Sequence, residues 1–169
     1  MHRLTVDEFK ASSKLPLVVV LDNVRSLHNV GSVLRSCDAF RVEAVYLCGI
    51  TATPPSAEIH KTALGAEDSV TWKYFAETTD AVDELHAHAT KVLAVEQVAG
   101  SAMLQNLQTN EGQRYAVVLG NEVKGVQQTV VDLCDGCLEI PQFGTKHSLN
   151  VSVTTGIVIW EFARQLLIK

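Results

Sequence analysis

The chain has 169 residues, of which 47% are hydrophobic and 20% are charged, and its formal net charge is −5. This length fits a single domain that buries roughly two thirds of its unfolded surface. No apolar run reaches the ~20 residues that cross a bilayer, and the N-terminus lacks a signal-peptide pattern, so we expect no membrane partner and a cytoplasmic location. The acidic balance argues mildly against nucleic acid as a partner, because phosphate binding usually leaves a basic surface.

Apolar runs and helical patterns alternate along the chain. Strands are predicted by the apolar runs at residues 17–21, 44–47, 69–73, 91–95, 115–119 and 137–140. Helices are predicted at residues 29–40, 57–65 and 78–89, after Gly125, and from 150 to the C-terminus. The alternation predicts an α/β fold with a mostly parallel sheet and helices on both faces. The last helix is apolar on more than one face, which favours burial against a second subunit.

The four cysteines predict no metal site. Cys37 and Cys48 lie in apolar stretches, where a reduced buried thiol is usual. Cys134 and Cys137 form a lone CxxC, whereas zinc requires a second ligand pair and a redox pair normally begins a helix after a strand. We therefore favour inert core thiols.

Three loops that follow predicted strands combine glycine with polar side chains. They cover residues 29–35, 119–125 and 140–150. In open α/β sheets, ligands bind where such loops meet beyond the carboxyl ends of the strands. The three loops therefore predict one shared site. Basic residues lie in or near them: Arg25, Arg35, Arg41, Lys61, Lys124 and Lys146.

The second loop has the Gly-x4-Gly spacing of a P-loop at Gly120 and Gly125. The next two residues are not the Lys and Ser/Thr that bind phosphate and magnesium, and no Gly-x-Gly-x-x-Gly follows the first strand. Nucleotide hydrolysis and hydride transfer are therefore excluded. Asn121 and Glu122 can hydrogen-bond a small polar ligand, and the alternative is a simple turn with a surface glutamate.

Helix capping is the alternative to a binding role in the other two loops. Asn29, Ser148 and Asn150 each stand where a predicted helix begins, and all three are good N-cap residues. Arg35 lies about two turns inside a largely apolar helix. An arginine in this place requires an anionic partner, such as phosphate or a carboxylate, unless it is a plain surface residue.

The three segments resemble, in their order and spacing, the three signature motifs of the SpoU family within the SPOUT superfamily of RNA methyltransferases. The matching residues are Asn29, Gly31, Arg35, Leu119, Gly120, Asn121, Glu122, Gly125, Ile140, Pro141, Gly144, Ser148, Leu149, Asn150, Val151 and Ser152. The resemblance covers nearly the whole chain. Val123 stands where a glycine is common, and His147 where a glutamate is common.

The resemblance implies methyl transfer from S-adenosylmethionine to a ribose 2′-hydroxyl of RNA, and a C-terminal trefoil knot that binds the donor. Arg35 would bind the adjoining phosphate and orient the hydroxyl, because a guanidinium is a poor free base. The implied catalytic residues are Arg35, Asn29, Glu122, Ser148 and Asn150. The implied donor-binding residues are Leu119, Gly120, Asn121, Gly125, Ile140, Pro141, Gly144 and Leu149.

The resemblance also indicates partners. Residues 61–67 and 95–97 fit a branch of the family that favours a guanosine in the D-arm of tRNA over rRNA. Residues 1–169 are expected to form one methyltransferase domain without an appended RNA-binding domain, so a homodimer of catalytic domains would recognise the RNA. Two alternatives stay open: a catalytically silent module that binds donor and RNA, and an unrelated α/β protein that binds phosphorylated metabolites.

Overall fold

The computed structural model describes residues 1–168. The strands in that range are β1 (Leu15–Asp22), β2 (Val42–Cys48), β3 (Trp72–Phe75), β4 (Thr90–Val95), β5 (Ala102–Met103), β6 (Arg114–Leu119) and β7 (Gly136–Glu139). The helices are α1 (Val6–Ala11), α2 (Leu27–Ala39), α3 (Ala57–Ala63), α4 (Ala66–Ser69), α5 (Thr78–Ala87), α6 (Gln128–Leu133) and α7 (Val151–Leu166), with one 3₁₀ turn at Leu104–Asn106.

The strands form one sheet in the order β3-β2-β1-β6-β4-β7-β5. Each neighbouring pair is parallel, which confirms the predicted α/β class. Because the strands share one direction, their carboxyl ends lie at a single edge of the sheet, where ligands of such folds bind. The trefoil knot stays a prediction from the family resemblance.

Buried side chains cover both faces of the sheet. Alternate residues of β1 enter different core clusters: Leu17 and Val19 belong to one, and Val18 and Val20 to the other. Side chains of successive strand residues point to opposite faces, so the two clusters are two layers of core. Helices α2 and α7 contribute to the first layer, and α5 and α6 to the second.

Gly31, a residue of the first motif, allows α2 and α3 to pack closely. A Cβ placed on it would lie 2.0 Å from Thr62 Oγ1 and 2.3 Å from the carbonyl oxygen of Ile59. The Thr62 hydroxyl in turn donates to the carbonyl of His28 at 2.9 Å. The glycine is therefore explained by helix packing within the fold.

Two predicted boundaries are wrong for physical reasons. The strand predicted at 69–73 begins at Trp72, because residues 66–69 form α4 and Ser69 donates hydrogen bonds to Asp38 Oδ2 and to the Ala66 carbonyl. Asn29 does not cap α2. That helix begins at Leu27, and Ser26 is its cap, accepting from the Asn29 amide at 3.2 Å.

The four cysteines are free thiols. Burial raises the pKa of Cys48 to about 12 and also raises that of the fully buried Cys37. Burial likewise raises the pKa of Cys134 to about 12 and that of Cys137. Among residues 1–168, no group of three or more His, Cys, Asp or Glu side chains is arranged to hold a metal ion. No helix in the same range is long and apolar enough to cross a membrane.

Candidate functional site

Residues 120–125 form a tight hairpin, here called the second-motif hairpin, beyond the carboxyl end of β6. The Asn121 amide donates to the Gly125 carbonyl at 3.0 Å, and the Gly125 amide donates to the Asn121 carbonyl at 2.9 Å. Asn121 Oδ1 accepts from the amides of Val123 and Lys124, and its Nδ2 donates to the Asn23 carbonyl at 2.9 Å. The side chain of Asn121 is therefore occupied in shaping the hairpin.

The two glycines of the hairpin are required by its own closure. A Cβ on Gly120 would lie 2.1 Å from both the Gly125 carbonyl carbon and the Val126 nitrogen. Gly125 has a φ of +72°, and a Cβ there would lie 2.3 Å from Glu96 Oε1. Glu96 uses that oxygen to accept from the Val126 amide at 2.5 Å. The resemblance implies that Gly120 binds the donor, and the hairpin backbone by itself already requires a glycine at this position.

Glu122 joins the second motif to the first. Its carboxylate accepts hydrogen bonds from the Arg25 amide at 2.9 Å, the Ser26 amide at 2.9 Å and Asn29 Nδ2 at 3.1 Å. Burial of the carboxyl opposes its ionisation, but these hydrogen bonds outweigh burial and lower the pKa of Glu122 below its usual value. Two residues predicted to act together, Asn29 and Glu122, are thus in direct contact.

A cleft of about 370 Å³ lies at the carboxyl ends of β4, β6 and β7, beside the start of α7. Eight of the predicted site residues line it: Leu119, Gly120, Asn121, Glu122, Gly125, Ile140, Ser148 and Leu149. Five predicted residues do not line it: Asn29, Arg35, Pro141, Gly144 and Asn150. The cleft therefore brings the second and third motifs together, and the first motif adjoins it through Glu122.

The third motif forms an exposed loop that ends at α7. Asn150 is the N-cap of that helix, since its Oδ1 accepts from the Ser152 amide at 2.9 Å and the Ser152 hydroxyl at 2.6 Å. Ser148 faces the cleft without being the cap. A Cβ on Gly144 would meet no atom within 4 Å, so the fold itself does not require glycine there.

Arg35 stands apart from the cleft. It is exposed on α2, and no hydrogen bond or ion pair joins its side chain to another residue in the described part of the chain. The anionic partner that the sequence predicted is therefore not supplied from within residues 1–168. This side chain is therefore available to donate hydrogen bonds to an external anion.

Several cleft residues were not among the site residues predicted from the sequence. They are Val95, Glu96, Gln97, Leu138, Glu139, Gln142 and Thr154, among others. Val95 to Gln97 end β4 or follow it directly, at the same edge of the sheet as the three motifs. Their position after a predicted parallel strand was the signal that could have identified them.

Known proteins are similar to this chain in sequence and in architecture. The 23S rRNA (guanosine-2′-O-)-methyltransferase RlmB of Vibrio cholerae is 32% identical over 160 residues, which cover 95% of this chain and 64% of that protein. The AdoMet-bound rRNA methyltransferase of Sinorhizobium meliloti has a TM-score of 0.83 at 28% identity, over 92% of this chain and 61% of that one. The A. aeolicus TrmH/SpoU tRNA modifying enzyme has a TM-score of 0.82 at 25% identity, over 95% of this chain and 81% of that one.

The chain thus spans just under two thirds of the length of this curated relative. The model of the SpoU rRNA methylase family matches residues 16–160, which contain all three motifs. The chain belongs to the SpoU rRNA methylase family.

Proposed function

We propose that the chain transfers a methyl group from S-adenosylmethionine to a ribose 2′-hydroxyl of RNA. The observation that carries the proposal is the convergence of three motifs at one edge of the sheet. The second and third motifs line the cleft, and Glu122 ties the cleft to Asn29 of the first motif. Family membership supports the same reaction class.

The cleft suits the methyl donor in size and lining. Its volume of about 370 Å³ lies within the range of small-molecule sites, roughly 300–1,000 Å³. Leu119, Leu138, Ile140 and Leu149 offer apolar surface, and the adjoining loops offer backbone polar groups. When bound, S-adenosylmethionine supplies an electrophilic methyl group on a sulfonium. The similar rRNA methyltransferase of Sinorhizobium meliloti, with a TM-score of 0.83, was solved with AdoMet bound, which supports the same donor here.

The chain's own residues then align the acceptor. Arg35, whose side chain has no partner among residues 1–168, binds the RNA phosphate beside the target ribose and orients the 2′-hydroxyl. A guanidinium is a poor free base, so a phosphate oxygen takes up the proton. Asn29 and Glu122 hold the start of α2, Asn150 holds the start of α7, and Ser148 lines the cleft.

The substrate we propose is a guanosine of ribosomal RNA. The curated relative from Vibrio cholerae is named for a guanosine of 23S rRNA and is 32% identical. The sequence alone had favoured tRNA, and this relative does not support that preference. The A. aeolicus protein, named as a tRNA modifying enzyme, keeps tRNA as the comparison substrate in the experiment below.

We also propose a homodimer formed through α7. Val153, Ile157 and Trp160 are exposed apolar residues spaced by four and three positions, so they form one stripe on that helix. The rings of Trp160 and of Phe40, at the end of α2, also pack in an edge-type arrangement with centroids 5.9 Å apart. A stripe of this kind on a small domain is suited to burial against a second copy.

The test incubates the protein with labelled S-adenosylmethionine and either unmodified 23S rRNA or tRNA transcripts, and then maps the labelled nucleotide. We expect label on a ribose of the rRNA. Arg35→Ala should lower kcat more than tenfold, equivalent to ~1.4 kcal/mol of barrier, with the calorimetric donor Kd within about twofold. Arg3→Ala, which removes another exposed arginine, is the matched control and should leave kcat unchanged.

A silent binding module is the second candidate, because Arg35 does not line the cleft of its own chain. Donor and RNA binding without any transfer would favour this candidate. Transfer that survives in Arg35→Ala at more than a tenth of the wild-type rate would remove Arg35 from its assigned role. Absence of donor binding would contradict both candidates.

A further inference from the structure

A second, larger cavity adjoins the donor cleft. Its volume is about 1400 Å³, and it lies beyond the carboxyl ends of β1, β2 and β6, at the start of α2. Residues 121–125 line both cavities, so the second-motif hairpin is a wall that they share. A molecule in this cavity would therefore stand next to a molecule in the donor cleft.

The cavity exposes apolar side chains to solvent. Ile50 is 64% exposed and Val123 is 90% exposed. Ile50 is held in place, because its amide donates to Asn23 Oδ1 at 3.0 Å and Tyr74 donates its hydroxyl to the preceding carbonyl, that of Gly49, at 2.7 Å. An apolar side chain held outward in this way is prepared for a flat apolar partner.

The charges of the cavity favour an anion. Arg25 and Lys124 line it, and neither side chain has a hydrogen bond or ion pair with any residue in 1–168. The two carboxylates that line it are already occupied. Glu58 pairs with Lys61 at 2.8 Å and with His28 at 3.6 Å, and Glu122 accepts the backbone amides described above. The cavity thus offers free cations and no free carboxylate among its described side chains.

We propose that this cavity receives the target nucleotide as an unpaired residue of the RNA. Its base lies against Ile50 and Val123, and Arg25 and Lys124 bind phosphates of the same strand other than the one assigned to Arg35. A nucleobase has an apolar face and its backbone is anionic, which matches both sets of groups. The volume is sufficient for a nucleotide. The inference rests on the proposed function, since it places the acceptor across the shared hairpin from the donor.

The test measures the Kd of a fluorescent rRNA fragment by anisotropy for the full chain and for Ile50→Ser and Ile50→Met. Serine removes the apolar surface without adding charge, and methionine keeps it. We expect Ile50→Ser to raise the RNA Kd about tenfold and Ile50→Met to change it less than about twofold, because each buried CH₂ contributes substantially to binding. Leu133→Ser is the matched control, since Leu133 is exposed and lines neither cavity.

A second RNA that lacks the base at the mapped nucleotide makes the test specific. The wild type should bind this abasic RNA about as weakly as Ile50→Ser binds the intact RNA. On the abasic RNA, the Kd of Ile50→Ser should exceed that of the wild type by less than about twofold, because both changes remove the same contact. The inference would be overturned if the substitution and the missing base weakened binding additively. It would also be overturned if Ile50→Ser bound the intact RNA with a Kd within twofold of wild type.

Two further outcomes are distinguished by the same variants. If Ile50→Ser sediments as a monomer where the wild type sediments as a dimer, the cavity belongs to a subunit contact and the inference is overturned. A wild type that binds the rRNA fragment but transfers no methyl group would contradict the proposed function. In that case the Ile50→Ser Kd still decides whether this cavity is the RNA-binding one.

Discussion

Replacement of Glu122 by glutamine tests whether this side chain holds the first and second motifs together. The carboxylate accepts three hydrogen bonds that cross between elements, from two backbone amides of the loop after β1 and from Asn29 Nδ2 on α2. Glutamine keeps the length of the side chain but has a single accepting oxygen and no charge. One donor therefore loses its partner, and the others lose a charged acceptor.

The magnitude follows from these contacts. A hydrogen bond to a charged group contributes about 1.5–3 kcal/mol, against roughly 1 kcal/mol for a neutral one. Arg25 is exposed, so water can replace part of what is lost at its amide. We expect Glu122→Gln to lower the free energy of unfolding by about 2 kcal/mol. For a chain of this size, that corresponds to a fall in Tm of about 4–8 °C.

The pH dependence has a definite sign. The pKa of Glu122 in the folded protein is lowered, so its carboxylate contributes stability that is fully present above the unfolded pKa of about 4.3. That contribution is lost as the pH falls through the lower folded pKa. The Tm difference between wild type and Glu122→Gln should therefore be largest near neutral pH and shrink in acid below pH ~4.

Scanning fluorimetry over pH 3 to 8 would measure both quantities at about one-unit steps. Glu77→Gln is the matched control, because Glu77 is exposed and makes no side-chain cap bond at the start of α5. Its Tm should change by the small amount usual for a surface substitution, within about 0.5 kcal/mol. A Tm for Glu122→Gln within about 2 °C of wild type at pH 7, or a difference that does not depend on pH, would refute the reasoning.

Two further substitutions test the packing of α2 and α7. Gly31→Ala should lower the free energy of unfolding by about 1–3 kcal/mol, because the new Cβ overlaps Thr62 Oγ1 and the Ile59 carbonyl; an unchanged denaturation midpoint would contradict this. Trp160→Asp places a charge in the exposed stripe of α7 and should convert a dimer to a monomer in analytical ultracentrifugation. A dimer that persists would move the subunit interface elsewhere.

Much of the sheet was predictable because its strands are continuous apolar runs. Residues 17–21 and 115–119 are buried on both faces in β1 and β6, and a continuous apolar run is typical of such strands in a parallel sheet. Helix α1 was missed although it carries a signal: Thr5 and Glu8 form a reciprocal capping box. Strand β5 has only two residues and gives no pattern to detect.

The site was harder to predict where contacts distant in sequence decide the outcome. Ser26 and Asn29 are both good caps, and local sequence does not choose between them. The choice depends on Glu122, 93 residues further along, which takes the Asn29 side chain and leaves Ser26 to cap the helix. The motif pattern assigned Glu122 and Asn29 to one site, but the hydrogen bonds that Glu122 accepts depend on the fold.

Residue identity alone also did not reveal which motif positions serve the fold. Asn121 was predicted to bind the donor, yet its side chain closes the hairpin, and Gly120 is needed because backbone atoms lie where its Cβ would be. A ligand and a neighbouring backbone segment impose the same demand for a small or amide residue. Only the positions of the surrounding atoms distinguish the two.

The common direction of the strands has a practical consequence at the opposite rim of the sheet. Both cavities lie at the carboxyl ends, whereas residues 110–112 precede β6 and are exposed at the amino end. An affinity tag inserted there would attach the protein to a support through the side opposite both cavities. Long RNA molecules would then approach an unobstructed face, which makes this loop a suitable anchoring point for single-molecule measurements.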